Sequence, residues 1–324
     1  EGVRIILPDQ YAHHKSSTRP GPRRSVMSSG ALGGKDLAYL LWTSGTTGEP
    51  KGVMIQHSAA AEAMCDLQIQ VEHDDKAEQV RTLQFCAYSF DVFVQDLFYT
   101  WGLAGSVISG TRELMLGTFV EFIWKSCPTH AHLTPSFGAS IDVEEIRGST
   151  LQYVTFIGEK LTEDVAEAWA APGITTRAYT TYGPAENAVV STLRRFYGRS
   201  RDQAKAANVG FPLTNCTAYV VREVDNRWEL VPRYGVGELA LGGAQVAKGY
   251  LANEAKTTKA FIQGGPGIDE RIYLTGDMVR LNDHGFEFLG RNDDLIKITG
   301  IRIELSEISA ACASVKDEEA AVEH

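Results

Sequence analysis

Residues Leu41 to Val53 read LWTSGTTGEPKGV, and this alternation of hydroxyls and glycines closing on a lysine constrains the chain more than any other feature. Gly45 and Gly48 remove the Cβ atoms that would keep backbone N–H groups from closing on phosphate oxygens. Ser44, Thr46 and Thr47 add hydroxyl donors, and Lys51 supplies a positive charge. The spacing differs from the Walker loop, in which Gly stands directly before Lys-Ser/Thr; here Pro50 precedes Lys51 and Gly52 follows it. The segment therefore points to a nucleotide-using enzyme and away from a P-loop kinase. The competing reading is an ordinary polar turn, since Gly, Ser, Thr and Pro are common turn residues.

The 324 residues can bury a large core, and that length suggests two domains or one large domain with an appendage. Hydrophobic residues at 44% and charged residues at 22% fit a globular protein. A formal charge of −10 disfavours a nucleic-acid partner, because the overall field repels a phosphate backbone. No apolar run reaches the roughly 18 residues of a membrane span, and a cytoplasmic, non-membrane protein is expected. Cys65, Cys86, Cys127, Cys216 and Cys312 form no CxxC pair and are expected to be reduced thiols, most of them buried as small hydrophobes. His130 and His132 could share one strand face, but no third ligand lies near them in sequence.

Along the chain, Val3 to Leu7 reads as a short buried strand and Lys15 to Lys35 as a loop. From Asp36 to about Thr192 strand-like and helical runs alternate. Leu151 to Ile157 is strand-like, and Thr162 followed by Glu163 and Asp164 starts a helix. That alternation predicts an α/β layered sheet. After about Asn208 the texture turns to β, with expected strands at Thr217 to Val221, Trp228 to Val231 and Gly237 to Leu241, and a hairpin joining Met278–Leu281 to Phe286–Leu289.

The segment from Asp36, DLAYLLWTSGTTGEPKG, resembles the phosphate loop of the adenylate-forming (AMP-binding) superfamily, and within it the adenylation domains of nonribosomal peptide synthetases. Later blocks match in the family's order: FDVFVQDLF at Phe90, YTTYGPAEN at Tyr179, GELALGGAQVAKGYL at Gly237, YLTGD at Tyr273 and GRNDDLIKITGIRIELSEI at Gly290. The resemblance implies the layered sheets of the adenylate-forming fold. It divides the chain into an α/β part at 1–207, a β-rich subdomain at 208–290, and a hinge with the start of a C-terminal α+β subdomain at 291–324. It also implies an internal piece of a longer synthetase, whose catalytic lysine would lie beyond His324.

By the same resemblance, ATP and Mg²⁺ are the cofactors, with phosphopantetheine on a partner carrier domain. The partners are an amino-acid substrate and the peptidyl carrier and condensation domains of the same synthetase. Lys51 and the loop hydroxyls would hold the β- and γ-phosphates, and Glu186 would be the Mg²⁺ ligand, as a hard cation beside a triphosphate requires. Tyr182, followed by Gly183, matches the adenine-stacking position; Gly158 and Glu159 match the adenine-side loop. Asp277 matches the acceptor of both ribose hydroxyls, and Arg291 a second ribose or phosphate contact.

Asp91 is the position that separates amino-acid-activating members from acyl- or aryl-CoA ligases of the same superfamily, since a carboxylate there pairs with the substrate ammonium. The alternative reading is a helix cap. Val92, Gln95, His132, Thr155, Ile157, Thr181, Val189 and Val190 match the family's side-chain pocket. With no charge beyond Asp91 and several hydrogen-bonding groups, that pocket suggests a long neutral side chain such as an acylated hydroxyornithine of siderophore assembly. Ala185, where the family has Thr, lacks a hydroxyl near the α-phosphate. A non-catalytic nucleotide-binding module is a third reading.

Overall fold

The computed structural model describes residues 33–43, 50–71, 79–197 and 205–292, and the backbone of two short strands at 295–298 and 301–304. The strand expected at Val3 to Leu7 and the loop residues Ser44, Gly45, Thr46, Thr47 and Gly48 lie outside the described residues, as does Cys312.

Strands β1 (Leu37–Thr43) and β2 (Lys51–Gln56) pair antiparallel, with Thr43 opposite Lys51. Helix α1 (His57–Gln70) follows, then β3 (Arg81–Leu83), α2 (Val92–Gly102) and β4 (Ser106–Ile108). Next come α3 (Arg112–Gly117), α4 (Phe119–Ser126), β5 (His130–Leu133), α5 (Pro135–Ala139) and β6 (Tyr153–Phe156). Helix α6 (Glu163–Trp169), β7 (Arg177–Tyr182), a 3₁₀ turn at Ala185–Asn187, β8 (Thr192–Phe196) and β9 (Phe211–Pro212) complete the first half. Seven of these strands form one sheet in the order β4-β3-β5-β6-β7-β8-β9, parallel from β4 to β7 and antiparallel at β8 and β9. Parallel neighbours need crossovers, which the intervening helices supply.

Every residue of β5 and β6 is buried, as expected of parallel strands covered on both faces. Because side chains alternate, Val154 and Phe156 pack with Phe122, Leu133 and Trp169 on one face of the sheet. Tyr153, Ile157 and Tyr179 pack with Leu67 and Tyr99 on the other. His132 and Thr155 are register partners on that second face, and Thr155 is the partner of Tyr179.

The second half is β10 (Cys216–Val224), β11 (Arg227–Leu230), β12 (Val236–Gly243), β13 (Gly249–Tyr250), α7 (Glu254–Ala260), β14 (Phe261–Gln263), β15 (Arg271–Asn282) and β16 (Gly285–Arg291). These strands build an antiparallel sheet in the order β11-β10-β12-β15-β14, with β16 on β15; β13 leaves it to pair with β2. The hairpin expected at 278–289 is present, with Asn282 opposite Gly285. A last hairpin joins β17 (Leu295–Ile298) to β18 (Ile301–Glu304).

Two local expectations are corrected. Thr162 stands at the start of α6 with Glu163 and Asp164 in the first turn, but its hydroxyl makes no capping bond. The Glu163 carboxylate instead accepts from the Ala206 N–H at 2.9 Å. Of the four described cysteines only Cys216 is buried, while Cys65 is exposed and Cys86 and Cys127 lie between.

Candidate active site

The carboxyl ends of β6 and β7 open into a cavity of about 480 Å³, within the rough 300–1,000 Å³ span of small-molecule sites. Ligands of open α/β sheets bind at this end of the strands. Gly158, Glu159, Thr181, Tyr182 and Gly183 line it from the sheet, and Asp277 and Arg291 from the β15–β16 hairpin. Lys160, Leu161, Ala206, Val209 and Phe288 line it as well, and sequence reasoning did not single them out.

Asp277 is the hub of this cavity. Its N–H bonds to the Thr275 hydroxyl at 3.0 Å, beside Gly276 at φ 74°, a left-handed conformation that glycine adopts without cost. Oδ1 accepts from the Arg291 guanidinium at 2.5 Å, and the two residues are cross-strand partners in β15 and β16. Oδ2 accepts from the Tyr182 hydroxyl at 2.5 Å. Burial, then the neighbouring Asp277 charge, hold the Tyr182 phenol well above its ordinary pKa, so it remains a donor. Nearby, Glu238 accepts from the Gly276 N–H at 2.8 Å, and burial raises its pKa above the usual carboxylate value. The Glu159 carboxylate turns to Ser136, accepting from its N–H at 2.9 Å and its hydroxyl at 3.1 Å.

Tyr182 leads into a tight loop that carries Glu186. A Cβ on Gly183 would lie 2.1 Å from the Val189 carbonyl oxygen, so only glycine fits. Ala188 and Val189 sit at φ 48° and 72°, an outlying conformation for a β-branched residue. The reversal is held by Ser191 N–H to the Tyr182 carbonyl at 2.8 Å and by the Asn187 amide to the Ser191 hydroxyl, also at 2.8 Å.

Glu186 is fully buried. Its Oε1 accepts from the Tyr250 hydroxyl at 2.8 Å, while Oε2 has no hydrogen-bond partner among the described residues. A buried carboxylate with one open oxygen fits a hard cation, and Mg²⁺ commonly takes only one or two carboxylates and draws its other ligands from phosphates and water. Among the described residues no cluster of three His, Cys, Asp or Glu competes as a metal site. Lys51 begins β2 with its Nζ 5.4 Å from the centre of the Tyr250 ring.

Asp91 directly precedes α2 at its N-cap position and is nearly buried, but its side chain makes no capping hydrogen bond, which removes the cap reading. Its charge is felt by Tyr39, whose phenol is held well above its ordinary pKa first by burial and then by Asp91. Val92, Gln95, His132, Thr155, Ile157, Thr181, Val189 and Val190 are all buried. The Gln95 amide lies 3.2 Å from His132 Nδ1, and that nitrogen also contacts the Thr155 hydroxyl. Burial lowers the His132 pKa to about 4, so the ring is neutral. Asp96, 3.8 Å from His132 Nε2, is held well above the usual carboxylate pKa by burial. The space among Gln95, His132, Thr155, Tyr99 and Tyr153 is about 10 Å³, room for about one water. That small space is bounded by Gln95, His132 and Thr155 but not by Asp91, Val92, Ile157, Thr181, Val189 or Val190.

The family described as AMP-binding enzyme matches residues 6–251. "Siderophore peptide synthetase fer3" of Mycosarcoma maydis is 50% identical over 289 residues, covering 87% of this chain. "Nonribosomal peptide synthetase sidC" of Aspergillus fumigatus is 50% identical over 276 residues, covering 85%. The chain spans about 6% of the length of each. Among solved structures, the Vibrio cholerae adenylation domain AlmE in complex with glycyl-adenosine-5'-phosphate superposes with a TM-score of 0.73 at 26% identity, over 86% of this chain and 52% of that one. With the extent of the family match and the phosphate-loop, YGPAEN and YLTGD blocks in order, the chain belongs to the AMP-binding enzyme family.

Proposed function

We propose that this chain is the nucleotide- and substrate-binding part of an amino-acid-adenylating ligase in a nonribosomal peptide synthetase. The observation that carries the reading is the meeting of Tyr182, Asp277 and Arg291 in one cavity at the sheet end, with the open oxygen of Glu186 in the loop that follows Tyr182. A substrate carboxylate oxygen attacks the α-phosphorus of ATP, the bond to the bridging oxygen breaks, and pyrophosphate leaves with both electrons of that bond. The chain's contribution is alignment and charge balance. Tyr182 stacks on the base, with Gly158, Glu159 and Gly183 shaping its surroundings, and Asp277 receives the ribose hydroxyls beside Arg291. Lys51, with Ser44, Gly45, Thr46, Thr47 and Gly48, holds the β- and γ-phosphates. Glu186 would hold Mg²⁺, which supplies charge neutralisation at the triphosphate when bound.

Asp91 pairs with the substrate ammonium, and the residues from Val92 to Val190 named above form the side-chain wall. The siderophore relatives support a hydroxyornithine-type building block. The partners in this reading are a phosphopantetheinyl carrier domain that receives the aminoacyl group and a condensation domain, in a cytoplasmic assembly. The units 1–207, 208–290 and 291–324 are the α/β part, the β-rich part and the hinge segment. Pyrophosphate exchange by the full-length synthetase tests the reading. Exchange dependent on an amino acid is expected, and equal exchange with the des-amino acid would favour a CoA ligase.

A further inference from the structure

Tyr250 touches both charged groups assigned to the triphosphate side of the site, and no motif logic assigns it a role. It lies on β13, whose two residues pair with β2: Gly249 opposite Met54 and Tyr250 opposite Val53. Flanking bonds from Lys248 N–H to the Met54 carbonyl, 2.9 Å, and from Leu251 N–H to the Gly52 carbonyl, 2.7 Å, fix that pairing. The Tyr250 N–H donates to the Thr257 hydroxyl at 2.9 Å, and its ring meets Phe261 edge-on at 5.4 Å. So anchored, the nearly buried phenol has one orientation. Its hydroxyl reaches Glu186 Oε1 at 2.8 Å while its ring lies under Lys51 Nζ at 5.4 Å. The backbone repeats the link, since the Ala247 N–H donates to the Glu186 carbonyl at 2.9 Å.

A buried carboxylate that receives one hydrogen bond on one oxygen has its rotamer fixed and its other oxygen aimed. Partners of this kind set metal affinity, and removing them typically costs about 10–100-fold. The cation on the ring face adds an electrostatic attraction that orders Lys51. We infer that Tyr250 is a positioning residue that holds Glu186 and Lys51 in fixed relation and thereby sets the Mg²⁺ dependence of ATP binding. This rests on the reading of Glu186 as the metal ligand.

Tyr250→Phe in the full-length synthetase keeps the ring under Lys51 and removes only the hydroxyl. Calorimetric titration of ATP at graded Mg²⁺ should show the half-maximal Mg²⁺ concentration rising about tenfold or more. ATP affinity in EDTA should be unchanged. The parent's Mg²⁺ dependence in Tyr250→Phe would overturn the assignment. Should that variant not fold, Tyr250→His, which keeps an aromatic ring but moves the polar atom off the phenol position, takes its place. With whichever variant folds, Glu186→Gln and the corresponding double variant also decide. If Tyr250 acts through Glu186, their Mg²⁺ dependences coincide, and a further rise in the double variant overturns it. A parent that binds no ATP at any Mg²⁺ concentration would instead sink the nucleotide-site reading itself.

Discussion

The Tyr182 hydroxyl and Asp277 Oδ2, 95 positions apart in sequence, are joined by a hydrogen bond of 2.5 Å across the candidate nucleotide cavity. With Arg291 on Oδ1, both oxygens of Asp277 are engaged, so under the proposed assignment a ribose diol must share or replace these bonds.

Asp277→Ala should therefore do two things. ATP binding, measured by calorimetry, should fall below detection because the diol loses both acceptors. The unfolding midpoint should also drop, because Arg291 and Tyr182 lose a nearly buried partner at a cost of up to about 3 kcal/mol. Unchanged ATP affinity would remove Asp277 from the site.

Lys51→Ala should separate ATP from AMP. The lysine is assigned to the β- and γ-phosphates, so ATP affinity should fall at least tenfold while AMP affinity barely moves. Equal losses for the two nucleotides would place Lys51 elsewhere.

Asp91→Asn keeps shape and removes charge. Since the side chain makes no capping bond, α2 should be as stable as in the parent. Truncating one partner of a buried charged pair costs about 2–5 kcal/mol, so amino-acid-dependent pyrophosphate exchange should fall roughly 30-fold or more. The des-amino analogue, which has no ammonium to strand, should be unaffected by the change.

The buried His132 gives a pH signature. Its folded pKa, about 4, lies below the unfolded value of about 6.5, so the unfolded chain binds more protons between those limits. Its contribution to stability is full above about pH 6.5 and is lost as pH falls towards 4. Asp96 runs the opposite way: its raised folded pKa contributes stability at low pH that is lost as pH rises above the ordinary carboxylate value. His132→Gln should remove the first slope and leave the second. Denaturant unfolding of parent and variant from pH 4 to 7 measures the difference, and parallel curves would show that His132 is not buried neutral.

The residues that converge on the cavity were legible because their motifs fix local geometry. YGPAEN and YLTGD carry Tyr182 at the end of one strand and Asp277 within another, and topology then brings the two together. In the second half β10, β11, β12 and the β15–β16 hairpin were legible from their β-rich texture, while β13 and β14, two and three residues long, were too short to show, and β6 was legible from its apolar, β-branched run. Tyr250 was not, since its value lies in an oxygen 64 positions away and a Tyr after Gly in an apolar strand looks like core. Val209 and Phe288 escaped for the same reason. The contacts among Gln95, His132 and Thr155 depend on how side chains from α2, β5 and β6 meet, which no period encodes.

The loop from Gly183 to Val190 ties three assigned tasks to one piece of backbone. Tyr182, Glu186 and Val189, proposed to stack on the base, hold the metal and wall the side-chain pocket, are linked by a turn that tolerates no Cβ at its start and holds a valine at φ 72° near its end. A larger or differently shaped residue at Val189 would shift the nucleotide groups along with the pocket. Under the proposed assignment, altering which amino acid is accepted is easier from the sheet and α2. There Gln95, His132 and Thr155 stand on regular backbone, and substrate choice can drift without disturbing the chemistry shared by every substrate.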